Sequence, residues 1–177
     1  MKKVVFSILV DNTAGVLSRI AGLFSRRGYN IDSLTVGVTA DPRYSRATVV
    51  AQGDESIFRQ IESQLAKQVD VIDVKRLERD SSICRELIMV KIKVNPDTRK
   101  SLISIANIFR AKIVDVAKES LVIELTGNQS KIEAFLDLIS EYEILELART
   151  GITGLSRGTF DVKMYDEEGK LMDYDFS

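Results

Sequence analysis

The sequence predicts an α+β protein made of two tandem ferredoxin-like domains, each with the element order βαββαβ. Two observations lead to this prediction. Short apolar or alternating runs, typical of strands, are separated by segments whose apolar residues recur at helical spacing. This order occurs twice along the 177 residues. Each unit of about 75 residues suits an antiparallel sheet with two helices on one face.

The predicted organisation divides the chain into four parts. Residues 1–78 form the first domain, residues 79–84 a polar linker, residues 85–158 the second domain and residues 159–177 a C-terminal extension. Because 45% of the residues are hydrophobic, the chain can supply a core for each of two small domains.

The first domain is expected to contain four strands and two helices. The strands are expected at residues 4–10, 31–38, 44–52 and 69–77. The first helix spans residues 14–27, and Gly28 is expected to end it because glycine readily takes the left-handed conformation found after many helices. Asp54 is expected to cap the second helix, because its side chain can accept a hydrogen bond from a free backbone N–H.

The second domain repeats this pattern. Its strands are expected at residues 86–94, 113–117, 121–125 and 144–148. Asn95 and Pro96 open its first helix, since proline is favoured at the first helical position. Ser130 and Glu133 have the spacing of a capping box for its second helix.

The glycine-rich segment at residues 151–158 predicts a loop that contacts a partner protein. A phosphate-binding loop is the alternative, but the segment lacks a Walker lysine and a clear strand-to-helix context. Residues 160–176 alternate loosely around the acidic residues 166–169 and predict an exposed hairpin.

The composition argues against several classes of function. The chain has no histidine and a single cysteine, Cys84, so the usual general base and the commonest metal ligands are missing. We therefore expect no catalytic residue and no metal site in this chain. The formal net charge of −1 argues against nucleic-acid binding, and no apolar run is long enough to span a membrane. The lone cysteine and a start that resembles a strand, not a signal peptide, favour the cytoplasm.

The turn between the first strand and the first helix is the candidate binding site. Backbone N–H groups at a helix start lack helical partners, and the helix dipole there attracts a carboxylate. The groups expected to be free belong to Ala14, Gly15, Val16 and Leu17. Gly15 has no Cβ, so a ligand can approach the backbone closely.

Polar side chains beside this turn complete a site for a free amino acid. The Asn12 side-chain amide offers an oxygen to an ammonium group and an N–H to a carboxylate, and Asp11 adds negative charge nearby. The alternative is that Asn12 or Thr13 simply caps the helix, which is the commoner arrangement because nearly every helix needs a cap.

Two stretches of the first domain carry a resemblance to a known family. They are residues 10–19, with the sequence VDNTAGVLSR, and residues 22–36, with the sequence GLFSRRGYNIDSLTV. They resemble the start of the small, regulatory subunits of acetolactate synthase, also called acetohydroxyacid synthase. The likeness continues at residues 69–71, 85–87, 109–111, 113–116 and 148–151, and it ends at residues 154–158.

This resemblance implies an N-terminal ACT domain that binds valine or a related branched-chain amino acid, and a C-terminal ACT-like domain. It implies a homodimer with effector sites at the ACT–ACT interface. It further implies that the chain is not an enzyme. The chain would activate a separate large catalytic subunit, which carries thiamine diphosphate, Mg²⁺ and FAD, and would mediate feedback inhibition by valine in branched-chain amino acid biosynthesis.

The resemblance also implies which residues bind the effector. The head group of the amino acid is held by Asn12, Gly15, Val16 and Leu17. Asn30 and Ile31 are expected to arrive from the other protomer. Further residues expected near the pocket are Asp11, Ala14, Thr35, Val36 and Gly37.

Two alternatives remain from the sequence. One is a stand-alone amino-acid-sensing ACT protein that controls another enzyme or transcription, although the sequence shows no helix-turn-helix pattern and no basic patch. The other is a small enzyme on the same scaffold, which the lack of histidine and of a convincing acid–base pair disfavours.

Overall fold

The structure of the chain is a computed structural model that describes residues 2–159, 164–165, 168 and 171–172. In the N-terminal domain the strands are β1 (Lys2–Asp11), β2 (Ile31–Val38), β3 (Tyr44–Gly53) and β4 (Val71–Arg76). The helices are α1 (Val16–Arg27) and α2 (Glu55–Ala66). The strands form one antiparallel sheet in the order β2-β3-β1-β4. Both helices cover the same face, where Phe6 and Phe58 meet edge to face in the core.

The C-terminal domain repeats this architecture. Its strands are β5 (Ser82–Lys93), β6 (Lys112–Val116), β7 (Ser120–Gly127) and β8 (Ile144–Arg149). Its helices are α3 (Pro96–Phe109) and α4 (Gln129–Ile139). The strand order β6-β7-β5-β8 matches that of the first sheet, and Phe109 packs on Phe135 in a separate core. The prediction of two tandem ferredoxin-like domains is confirmed.

The helix ends agree with most of the local sequence signals. Asp54 accepts a hydrogen bond from the backbone N–H of Ile57 at 2.9 Å, and Asn95 forms a capping box with Thr98. The prediction that Ser130 and Glu133 form a capping box was wrong. Helix α4 begins at Gln129 because Asn128 caps it, which leaves Ser130 inside the first turn.

The glycine-rich segment is not an open loop. Thr153–Ser156 form a further strand, β9, which pairs antiparallel with residues 82–85 of β5. This pairing extends β5 into residues that the sequence assigned to the linker. It also excludes a phosphate cradle, since the segment enters a strand and not a helix. A Cβ on Gly154 would lie 2.7 Å from Cys84 Sγ and 3.0 Å from the Ile83 carbonyl oxygen, so close packing requires this glycine.

The C-terminal extension contributes a short pair of strands. β10 (Met164–Tyr165) and β11 (Leu171–Met172) pair antiparallel, which confirms the predicted hairpin at those positions. The rest of the predicted hairpin over residues 160–176 lies largely outside the described residues.

Candidate functional site

The turn between β1 and α1 leaves the start of the helix without a side-chain cap. Gly15 occupies the N-cap position with a φ of 87°, in the left-handed region that favours glycine. No side chain within the described part of the chain caps α1. The alternative in which Asn12 or Thr13 caps this helix was therefore wrong, because the left-handed Gly15 occupies the capping position itself.

Asn12 instead fastens the turn to the neighbouring β2–β3 connection. Its backbone N–H donates to the Arg43 carbonyl at 2.7 Å, and its Nδ2 donates to the Pro42 carbonyl at 2.9 Å. Its Oδ1 accepts a hydrogen bond from Ser45 Oγ at 3.0 Å. A side-chain amide can donate twice and accept twice. Asn12 Nδ2 therefore keeps one N–H, and Oδ1 keeps one lone pair, for a ligand. The hydrogen bonds to the protein fix the orientation of the amide.

The first turn of α1 presents free backbone donors. Within the described residues, we find no acceptor for the backbone N–H groups of Ala14, Gly15, Leu17 and Ser18. The Val16 N–H makes only a long contact of 3.5 Å with the Thr13 carbonyl. Val16 is buried in the core, whereas Leu17 is 45% exposed beside these donors. The turn therefore combines carboxylate-binding N–H groups with a small apolar surface.

Arg19 adds a positive charge at the same place. A Cβ built on Gly15 would lie 3.0 Å from Arg19 Nη1, so the guanidinium folds back over the start of the helix. Arg19 Nε donates a hydrogen bond of 2.6 Å to the Asp70 carboxylate, which orients the guanidinium and raises its pKa. Arg19 was not among the site residues predicted from the sequence. Its spacing of four residues from Gly15 was the available signal, but Asp70 lies 51 residues away.

The predicted site residues fall into two groups at opposite ends of α1. Asp11 and the turn residues lie at its N-terminal end, while Asn30 and Ile31 follow its C-terminal end at Gly28. A helix of 12 residues is about 18 Å long. One protomer therefore does not bring Asn30 or Ile31 to the turn after β1.

The predicted residues of β2 lie on two faces of an edge strand. Val36 is 46% exposed on the face that also carries Leu34, a partly buried residue that packs against the core. Thr35 and Gly37 lie on the other face, away from α1. The Thr35 hydroxyl donates to the Ile152 carbonyl of the C-terminal domain at 3.0 Å, a contact that the sequence did not indicate.

Comparison with known proteins places this geometry in a family. Residues 6–73 match the model of the AHAS small subunit-like ACT domain, and residues 85–158 match that of the small subunit of acetolactate synthase. A probable acetolactate synthase small subunit from Archaeoglobus fulgidus is 46% identical over 152 residues, covering 86% of this chain and 95% of that protein. The chain belongs to the acetolactate synthase small-subunit family.

Other members of the acetolactate synthase small-subunit family agree with this assignment. The acetolactate synthase isozyme 3 small subunit of Escherichia coli is 44% identical over 155 residues, covering 87% of this chain and 95% of that protein. The crystal structure of the Thermotoga maritima small subunit superposes with a TM-score of 0.84 at 37% identity, covering 90% of this chain and 99% of that one. The turn after β1 and the whole of β2 thus lie in an ACT domain of this family.

The described residues contain no membrane-spanning helix and no cluster of metal ligands. None of the helices that the structure describes is both long and apolar enough to cross a membrane. Among the same residues, no three His, Cys, Asp or Glu side chains are grouped so that they could hold a metal ion.

Proposed function

We propose that this chain is the non-catalytic regulatory subunit of acetolactate synthase and senses valine or a related branched-chain amino acid. The observation that carries the proposal is the uncapped start of α1, where free N–H groups, the left-handed Gly15 and the Arg19 guanidinium converge in an ACT domain of this family. A structural turn needs only a cap, whereas this one keeps its donors free.

The ligand's two charged groups match the donors and acceptors of the turn. The carboxylate would accept hydrogen bonds from the N–H groups of residues 14–18 and would face Arg19. A hydrogen bond between a carboxylate and a guanidinium is stronger than one between neutral groups. The ammonium would donate to Asp11 or to the remaining lone pair of Asn12 Oδ1. The isopropyl group would rest on the exposed Leu17.

A second protomer completes the proposed site. Asn30 and Ile31 lie at the far end of α1 from the turn, about 18 Å away. A two-fold dimer can bring the end of one α1 to the start of the other. In such a dimer the same surface patch of both protomers forms the interface, so each contact between two different residues occurs twice. Binding at such a shared site couples effector occupancy to the geometry of the dimer.

The catalytic chemistry belongs, in this proposal, to a separate large subunit in the cytoplasm. That subunit would hold the thiamine diphosphate, Mg²⁺ and FAD, while this chain would activate it and confer feedback inhibition in branched-chain amino acid biosynthesis. The relatives' description as small subunits supports a partner of this kind.

The proposed pocket discriminates modestly among branched-chain amino acids. A single methylene in an apolar pocket changes binding by about 1–3 kcal/mol. Valine, leucine and isoleucine should therefore all bind, with affinities separated by roughly one to two orders of magnitude.

Calorimetry and reconstitution test the two halves of this function. Titration of the folded dimer with valine is expected to release heat well above that of dilution, and heat equal to that of buffer at millimolar valine would overturn the effector assignment. Adding the chain to the large subunit is expected to raise turnover and make it valine-sensitive. Unchanged turnover and sensitivity would overturn the subunit assignment.

A further inference from the structure

Within the part of the chain that the structure describes, two hydrogen bonds join the N-terminal sheet to the C-terminal domain, and both end on Ile152. The Ile152 N–H donates to Ser33 Oγ at 2.9 Å, and the Thr35 hydroxyl donates to the Ile152 carbonyl at 3.0 Å. Ser33 and Thr35 are partly buried neighbours on one face of β2. We call Ser33, Thr35, Gly151 and Ile152 the interdomain latch.

Gly151 allows the two domains to approach this closely. Its φ is 85°, and a Cβ placed on it would clash with Ser33 Oγ and lie 3.2 Å from Thr35 Cγ2. Any other residue would therefore displace the Ser33 hydroxyl or the strand that carries it, as well as straining the backbone.

The C-terminal half of the latch is fixed to strand β5 on both sides. Before it, Arg149 forms two hydrogen bonds of 2.8 and 2.7 Å with Glu86, a carboxylate that is only 5% exposed. The Thr150 N–H donates to the Leu87 carbonyl at 3.0 Å. After it, β9 pairs with the start of β5. A displacement of β2 would therefore act on a segment that is held to the central strand of the C-terminal sheet, and not on a loose loop.

The N-terminal half of the latch lies on the strand that carries the predicted effector residues. Ile31 begins β2, and the pairing of β2 with β3 shifts register between Ile31 and Ser33. Such an irregularity is a place where a strand changes direction or re-aims a side chain. Beside it, a cleft of about 490 Å³ opens between the domains, lined among others by Lys3, Asp32 and Gln129.

We infer that the interdomain latch transmits effector occupancy from β2 to the C-terminal domain, so that it couples binding to inhibition without itself binding the effector. The inference rests on the proposed function, because it assigns a regulatory step to the same effector site. Coupling between two sites requires an element whose arrangement both sites influence. Strand β2 meets this requirement, since it has Ile31 at its start and the latch two residues further on.

The test removes the latch without emptying space in the core. The double variant Ser33→Ala/Thr35→Val deletes both hydroxyls. The side chain introduced at position 35 has nearly the same shape as that of threonine. Thr126→Val, at an exposed position of β7, is the matched control. Each variant is titrated with valine as the isolated dimer and then assayed for valine inhibition in the reconstituted complex with the catalytic subunit.

For the double variant we expect a valine Kd within about threefold of the wild-type value, with maximal inhibition reduced by at least about half. Gly151→Ala, in the C-terminal half of the latch, should likewise reduce maximal inhibition with little change in the valine Kd. Gly158→Ala, also at a left-handed position, should leave inhibition intact. Activation without valine should persist in every variant, which shows that the complex still assembles.

Three outcomes would overturn the inference. Full valine inhibition in both latch variants would show that the latch carries no coupling. A rise in Kd large enough to explain the lost inhibition would make Ser33 and Thr35 part of the binding pocket. If the wild-type dimer itself releases no heat with valine, the proposed function fails and the inference falls with it, a result distinct from the other two.

Discussion

At the scale of single residues, Gly15 combines two properties that no other residue type offers at that position. Its φ of 87° favours glycine, and its missing side chain opens the start of α1 to a ligand. An L residue in the left-handed region costs about 1–2 kcal/mol, with asparagine and aspartate the most tolerant. Asparagine and aspartate substitutions therefore separate backbone strain from charge.

Gly15→Asp is expected to weaken valine binding more than Gly15→Asn does, by about tenfold or more, because only aspartate repels the ligand carboxylate. Calorimetric titration of the two variants measures the difference, and matched thermal melts show that both carry the same strain. Activation of the catalytic subunit should largely survive in both. Equal valine affinities for the two variants would show that the ligand carboxylate does not bind at the start of α1.

Arg19 is the residue that the structure adds to the site. Arg19→Gln is expected to weaken valine binding about tenfold, because a charge-assisted hydrogen bond contributes about 1.5 kcal/mol or more. Raising the salt concentration should weaken binding to the wild type more than to this variant. Arg59→Gln, at a largely exposed position of α2, is the control and should bind valine as the wild type does. An unchanged affinity for Arg19→Gln would show that Arg19 does not contact the ligand carboxylate.

At the scale of elements, the helix starts differ in how they satisfy their free donors. Asp54→Ala is expected to lower the free energy of unfolding by about 1 kcal/mol, because the Asp54 side chain caps α2. Thr13→Ala should change it by only a few tenths of a kcal/mol, because no side chain among the described residues caps α1. Urea denaturation compares the two variants. A loss of about 1 kcal/mol for Thr13→Ala would show that α1 has a side-chain cap in solution.

Elements with local signals were predictable from the sequence, and those set by distant partners were not. Asp54, Asn95 and Gly28 are placed correctly because capping depends on the next few residues. Strand β9 was missed because its partner lies about 70 residues earlier, and its glycines suggested a loop. The capping box at Ser130 failed because Asn128 offers a cap two residues earlier.

The candidate site follows the same division. The exposed donors at the start of α1 could be predicted, since every helix start leaves N–H groups without helical partners. The contacts that position the site could not. Asn12 is held by Pro42 and Ser45, and Thr35 is engaged by Ile152, 117 residues away. No periodicity or local motif encodes a hydrogen bond over that separation.

At the scale of the whole molecule, the charges predict a distinctive dependence of stability on pH. The chain has no histidine, so side chains with ordinary pKa values leave the free energy of unfolding nearly constant between about pH 5 and about pH 7. The hydrogen bond from Lys3, followed by that from Gln52, lowers the pKa of Asp32. The hydrogen bond from Arg76 lowers the pKa of Glu55.

These lowered pKa values fix the sign of the effect. An unfolded aspartate takes up a proton near its ordinary pKa of about 3.9, whereas folded Asp32 resists protonation until a lower pH. The stabilisation is therefore fully present above about pH 5 and is lost as the pH falls through the folded pKa. Asp32→Asn should reduce the loss of stability between about pH 5 and about pH 3 in urea denaturation, whereas Asp80→Asn, at an exposed turn, should leave it unchanged. If both variants lose the same free energy of unfolding between about pH 5 and about pH 3, Asp32 is not the cause of the acid destabilisation.

The proposed effector site spans two protomers, and mixing two inactive variants tests this most directly. Gly15→Asp damages the turn, and Asn30→Ala damages the other half, so each homodimer should bind valine poorly. A mixed dimer pairs the intact turn of the Asn30→Ala chain with the intact Asn30 of the Gly15→Asp chain. Calorimetric titration of the re-equilibrated mixture is predicted to recover valine binding with near wild-type affinity and reduced stoichiometry. If the mixture releases no more heat with valine than either variant alone, while the wild-type dimer binds valine, a site shared between protomers is contradicted.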